Sequence, residues 1–95
     1  MRVQNERVIA KFLKREQGTS PKRNYVNGYY MRHGASISTD GTTLYSYSTP
    51  IARWVGDTVE YTERKYSNTT TRQQSDLAVM LSRHNVKCAG VSREI

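Results

Sequence analysis

Between Gly28 and about Glu63 the hydrophobic pattern of this chain has a period of two, whereas on either side the period is 3.6. Strand side chains alternate between faces and helix side chains recur every three to four residues, so the switch demands both element types in one short chain. In "TTLYSYST" (42–49) Leu44 alternates with Tyr45 and Ser46 with Tyr47. In "TVEYTER" (58–64) Val59, Tyr61 and Glu63 oppose Glu60 and Thr62. Asp40-Gly41 is a dipeptide favoured in tight primed hairpin turns, and Gly56-Asp57 supplies a second turn after the apolar run "IARWV". Three or four antiparallel strands are predicted. Pro50 lacks a ladder donor, so its strand lies at a sheet edge or bends there.

Before this block, Val8, Ile9, Phe12 and Leu13 stand at i, i+1, i+4 and i+5, predicting an amphipathic helix over about 3–17 with Gly18 as its left-handed cap. Its outward face carries Arg7, Lys11, Lys14 and Arg15 in a row, and the loop "GTSPKRNYVNG" adds Lys22 and Arg23. After the block, "SNTTTRQQ" (67–74) is rich in N-cap residues. Thr70 with Gln73, or Thr71 with Gln74, fits a capping box ahead of Leu77, Met80, Leu81 and His84, predicting a helix of about 14 residues that ends near Asn85. The expected fold is α+β, ordered α-β-β-β(-β)-α. One domain over residues 1–95 packs both helices on one side of a small antiparallel sheet, leaving tyrosines, threonines and serines on the other face.

Fifteen Lys and Arg against eight Asp and Glu give a formal charge of +7, unevenly spread. The first 35 residues hold eight bases and two acids, the remaining 60 seven and six. A negatively charged partner is expected: nucleic acid or an acidic protein face. The bland reading is a cationic surface kept for solubility. Apolar runs of three or four residues are far below the roughly 20 that span a bilayer, and no apolar signal core opens the chain, so a cytoplasmic location is expected. Cys88 is the only cysteine, which rules out an internal disulfide or a thiolate zinc cluster. No cofactor is expected.

Seven tyrosines accompany one Phe and one Trp, interleaved on the predicted strands with arginines. Such a mixture suits a single-stranded nucleic-acid platform or a protein interface, with Tyr45, Tyr47, Arg53 and Trp54 as anchors, and equally a thin core capped at its wet edge. Thr69, Thr70, Thr71 and Arg72 at a helix start read as caps or as an anion seat. A ribonuclease would need Glu60 or Glu63 as base, His33 or His84 as acid and Arg53 or Arg64 on the phosphate. Convergence of those groups cannot be read from spacing, and a non-enzymatic protein is expected.

"LYSYSTPIARW" (44–54) followed by "KYSNTTTRQQ" (65–74) resembles small proteins encoded by phages and plasmids, in which a Tyr-Ser-Tyr strand ending in Thr-x-Ile-Ala precedes Lys-Tyr-Ser-x-Thr-Thr. The resemblance covers residues 44–74 and transfers no catalytic residue. It implies an inhibitor of host defence of the anti-CRISPR kind, whose partner is a nucleoprotein complex in the cytoplasm of a bacterial host. A free DNA- or RNA-binding regulator is the alternative, and a small basic ribonuclease the third reading. The basic N-terminal third departs from inhibitors that mimic DNA with acidic surfaces.

Overall fold

A computed structural model of the chain describes residues 3–19, 25–26, 29–30, 37–66 and 68–95; Lys22, Arg23 and His33 lie outside them. Val8, Ile9 and Phe12 recur on one helical face, and that face is buried in helix α1 (Val3–Leu13). The helix is shorter than expected, and its cap is different. Arg15, not Gly18, takes the left-handed conformation (φ 58°). Glu16 N–H donates to the Lys11 carbonyl (2.9 Å) and Arg15 N–H to the Phe12 carbonyl (3.0 Å), which is a Schellman ending. Gly18 instead lies within strand β1 (Gln17–Thr19).

Strands β2 (Tyr25–Val26) and β3 (Tyr29–Tyr30) pair with each other. The alternating block then forms β4 (Ile37–Asp40), β5 (Thr43–Ser46), β6 (Thr49–Val55) and β7 (Thr58–Thr62). Both predicted turns fall where expected. Gly41 (φ 98°) and Gly56 (φ 63°) supply the positive φ that their two-residue loops require. Helix α2 spans Asn68–Arg83 and ends with a second Schellman arrangement on Asn85 (φ 54°), where Val86 N–H donates to the Leu81 carbonyl (3.0 Å). Strand β8 (Cys88–Val91) follows.

The α+β class stands, but the sheet is larger than the sequence pattern indicated. Among the described residues six strands form one mixed sheet, ordered β1-β4-β5-β6-β7-β8, antiparallel except for the parallel β7–β8 pair. The expectation of three or four antiparallel strands with a helix last is therefore corrected at both edges. "QGT" and "CAGV" are too short and too poor in alternating apolar residues to read as strands, and they exist because the neighbouring strands' open edges need partners. α2 becomes the crossover that any parallel strand pair requires.

Pro50 lies in an interior strand at a place where both alternatives of its prediction meet. It pairs with Tyr45 on β5, whereas β7 pairs with β6 only from Ala52 onward. The register shifts there, leaving Ile51 as an extra residue, and Ile51 and Ala52 are both fully buried, as at a β-bulge.

One core lies between the two helices and one sheet face, built from Val8, Ile9 and Phe12, from Ile37, Leu44, Ile51, Ala52 and Val59, and from Leu77, Met80 and Leu81. The helices are joined by a buried polar contact: the Asn5 amide donates to the Asp76 carboxylate (2.8 Å), with the residues 5% and 9% exposed. Ser38, Thr43, Tyr45, Arg53 and Glu60 occupy the opposite sheet face and are only half-buried.

A candidate polyanion-binding surface

Apart from Arg15, Trp54, Lys22 and Arg23, the predicted binding residues fall in three places. The first is the outer side of α1. Arg7, Lys11 and Lys14 are exposed on successive turns and, with Ala10, Gly18 and Thr19, line an open groove of about 370 Å³ between α1 and β1. A helix rises about 1.5 Å per residue, so the three cations are stepped roughly 6 and 5 Å along the axis. Lys11 Nζ lies 3.4 Å from the Glu16 carboxylate, a pair that links the two ends of the Schellman turn. Arg7 and Lys14 have no carboxylate partner among the described residues; Glu6, the acid within α1, pairs with Arg83 (3.5 Å). Gly18 directs the row, because a Cβ there would come 2.9 Å from Lys11 Cγ, and its absence lets the lysine stem cross β1.

Arg15 does not join that row. Its guanidinium lies 4.2 Å from the Trp54 ring centroid and donates to the Gly56 carbonyl. The Trp54 indole N–H donates to the Phe12 carbonyl (2.8 Å), and its ring tilts against Phe12 at 5.9 Å. Arg15 and Trp54 together close the C-terminal end of α1 onto the β6–β7 turn.

The second place is the outer sheet face, where Arg53 Nε and Nη2 donate to one Glu60 oxygen (3.2 and 3.1 Å) directly across the strands. The Tyr45 hydroxyl donates to Asp40 (3.4 Å). The Asp40 carboxyl is held below its ordinary range by the N–H groups of Thr43 and Thr42, with a smaller contribution from Tyr45. Arg53 is thus neutralised, and this face carries little net charge.

The third place is the end of the sheet at the β5–β6 turn. Tyr47, 49% exposed, has a positive φ of 57° in that turn. Beside it the buried hydroxyls of Ser46 and Thr70 bond to each other (2.8 Å), tying the turn to the start of α2. Thr70 is therefore a core contact, whereas Thr69 and Arg72 are exposed and Thr71 is half-buried. Because α2 already begins at Asn68, Thr70 and Thr71 lie within the helix and are not its N-caps; Gln74 joins β7 to α2, its amide donating to the carbonyls of Thr62 (3.0 Å) and Arg64 (2.9 Å). Lys22 and Arg23 lie outside the described residues.

Among the described residues the candidate ribonuclease groups do not converge, and His33 lies outside them. Glu60 is paired with Arg53 on the outer face, Glu63 sits against Gly90, and His84 is exposed beyond α2. Among the described residues no three His, Cys, Asp or Glu side chains are grouped to hold a metal, and no helix is long and apolar enough to cross a membrane.

The family model described as "Family of unknown function (DUF8033)" matches residues 13–87. The chain belongs to this family. The span shared with DUF8033 contains the sheet from β1 to β7 and all of α2, and it omits most of α1 and strand β8. No curated protein and no solved structure matches the chain. Neither sequence reasoning nor DUF8033 membership points to the Asn5–Asp76 and Ser46–Thr70 contacts, since each joins residues remote in the chain and carries no local motif.

Proposed function

We propose that this is a non-enzymatic, phage-type protein that acts in the cytoplasm of a bacterial host by binding a nucleoprotein machine and inhibiting it, as an anti-CRISPR protein does. Its docking element is the basic side of α1. The single observation supporting this is the row of Arg7, Lys11 and Lys14 along the α1–β1 groove, two of whose three charges have no acid beside them among the described residues. Cations stepped roughly 5–6 Å along a helix can follow a phosphate backbone, and their engagement releases counterions. The mixed arginine–glutamate pair on the outer sheet face leaves that surface a weaker attractor.

Affinity for a single-stranded oligonucleotide and for host lysate, with and without nuclease, tests the proposal. Three engaged phosphates predict a log–log salt slope near −2 on a single strand. Between 50 and 200 mM salt, affinity then falls about twentyfold. The triple variant R7A/K11A/K14A should abolish the slope and the capture of a nucleoprotein. A salt-independent affinity, or full capture by the triple variant, refutes the role of α1. Binding to free oligonucleotide with no nucleoprotein captured would select the alternative, a free DNA- or RNA-binding regulator.

A further inference from the structure

Among the described residues the edge of the sheet farthest from α1 is open, with β8 paired to β7 alone: Val59 N–H donates to the Lys87 carbonyl (2.8 Å) and Glu63 N–H to the Val91 carbonyl (2.7 Å). Backbone groups alternate in direction along a strand, so residues 87, 89 and 91 face β7 while those of Cys88 and Gly90 point away from the sheet. Cys88, Ala89 and Gly90 are all exposed, and none carries the charge or the proline ring with which natural edge strands discourage pairing. An open groove of about 560 Å³ lies beside this edge on the helix side of the sheet, between α2 and the β7–β8 pair. Tyr61, Ala78, Leu81, Val86 and Cys88 line it together with Lys87, whose charge is paired with Asp57 (3.3 Å).

We propose that β8 receives an extended segment of a partner protein as a seventh strand, with apolar side chains at alternate positions filling the groove. The outward N–H and C=O groups of Cys88 and Gly90 match a polypeptide backbone, and alternate residues of an added strand would project toward α2. A nucleic acid offers no such alternation, and the one cation lining the groove is already paired. A second copy of β8 pairs equally well through its backbone, but it brings only Cys88 and Gly90, or Ala89 and Val91, to a groove this large. The inferred site goes beyond the polyanion reading and is independent of it: β4, β5, β6 and β7 separate it from β1, about 24 Å at the usual strand spacing.

Panning a heptapeptide display library on the full chain, in parallel with the groove-blocking variants Ala78→Lys and Ser82→Lys, tests the inference. Both positions are exposed, so the variants should fold. Enriched peptides should carry apolar residues at i, i+2 and i+4. Synthetic copies should bind at least tenfold more weakly to both variants, lose binding when N-methylated at alternate positions, and slow amide exchange at Cys88 and Gly90. They should leave the salt-dependent oligonucleotide affinity unchanged. Three results would overturn it: no enrichment over the variants, enriched peptides that leave those two amides untouched, or protection of the same amides in a concentration-dependent dimer without peptide.

Discussion

Removing the guanidinium of Arg15 and removing the indole N–H of Trp54 should damage the fold while sparing the proposed function. Trp54→Phe deletes the bond to the Phe12 carbonyl, worth about 1 kcal/mol, and weakens the cation–π contact, worth roughly 0.5–1 kcal/mol. A loss near 1.5 kcal/mol corresponds to a Tm decrease of about 6–12 °C in a domain of this size. Arg15→Ala removes the same cation–π contact and the bond to Gly56, so its cost is comparable. Because the two variants share a contact, the double variant should lose about 0.5–1 kcal/mol less than the sum. Thermal and urea unfolding followed by far-ultraviolet circular dichroism measures all three, avoiding the fluorescence of the mutated Trp54. In oligonucleotide titrations Arg15→Ala should keep the wild-type salt slope, whereas Lys14→Ala should make it shallower by about 0.7, from near −2 to roughly −1.4. If Arg15→Ala unfolds like wild type and flattens the salt dependence, Arg15 is a ligand-binding cation and the division of the basic residues drawn above is wrong.

Asn5→Ala leaves the buried Asp76 carboxylate without its amide donor and should cost about 1.5–3 kcal/mol in urea unfolding, while replacing both residues with leucine should cost less. Gly56→Ala and Gly41→Ala both force an L-residue into positive φ; the first, with open space around it, should lose about 1 kcal/mol. The second, whose Cβ would lie 2.8 Å from the Arg15 carbonyl oxygen, should lose roughly 3 kcal/mol, read from the same unfolding curves. Asp40 has its carboxyl lowered from 3.8 in the fold, so its contribution to stability is present above about pH 4 and disappears as pH falls through the folded value. Asp40→Asn should therefore flatten the fall in Tm between pH 4 and pH 2.

How much of this architecture can be read from residues depends on the range of the interaction that forms each part. Periodicity reports burial of a face, so α1, α2 and the strands from Ile37 to Thr62 are legible in the alternation of Leu44, Val59 and Tyr61 and in the spacing of Val8, Ile9 and Phe12. β1 and β8 are edge strands held chiefly by backbone bonds, and a backbone bond leaves no trace in side-chain identity. Helix endings fail for a related reason: glycine marks an ending only where nothing else stabilises left-handed backbone. At Arg15 the stacking on Trp54, 39 residues away in sequence, makes that conformation tolerable, and at Asn85 the side chain type itself tolerates it.

The basic residues show the same limit from the side of function. A count of charges places an excess of positive charge in the first third of the chain, but attraction for a partner depends on which cations remain unpaired after folding. Arg15, Arg53 and Arg83 acquire partners from β6, β7 and α1 respectively, whereas Arg7 and Lys14 stay at the groove rim without a carboxylate among the described residues. Exposed pairs such as Lys11–Glu16 contribute little to stability, about 0–1 kcal/mol, so a polyanion can take Lys11 from Glu16 at small cost. Arg53 is harder to recruit, because its glutamate is half-buried directly across the ladder and would be left facing the incoming charge. On the proposed reading, attraction for a negative surface therefore depends on which cations, such as Arg7 and Lys14, no described carboxylate neutralises, and not on the net charge alone.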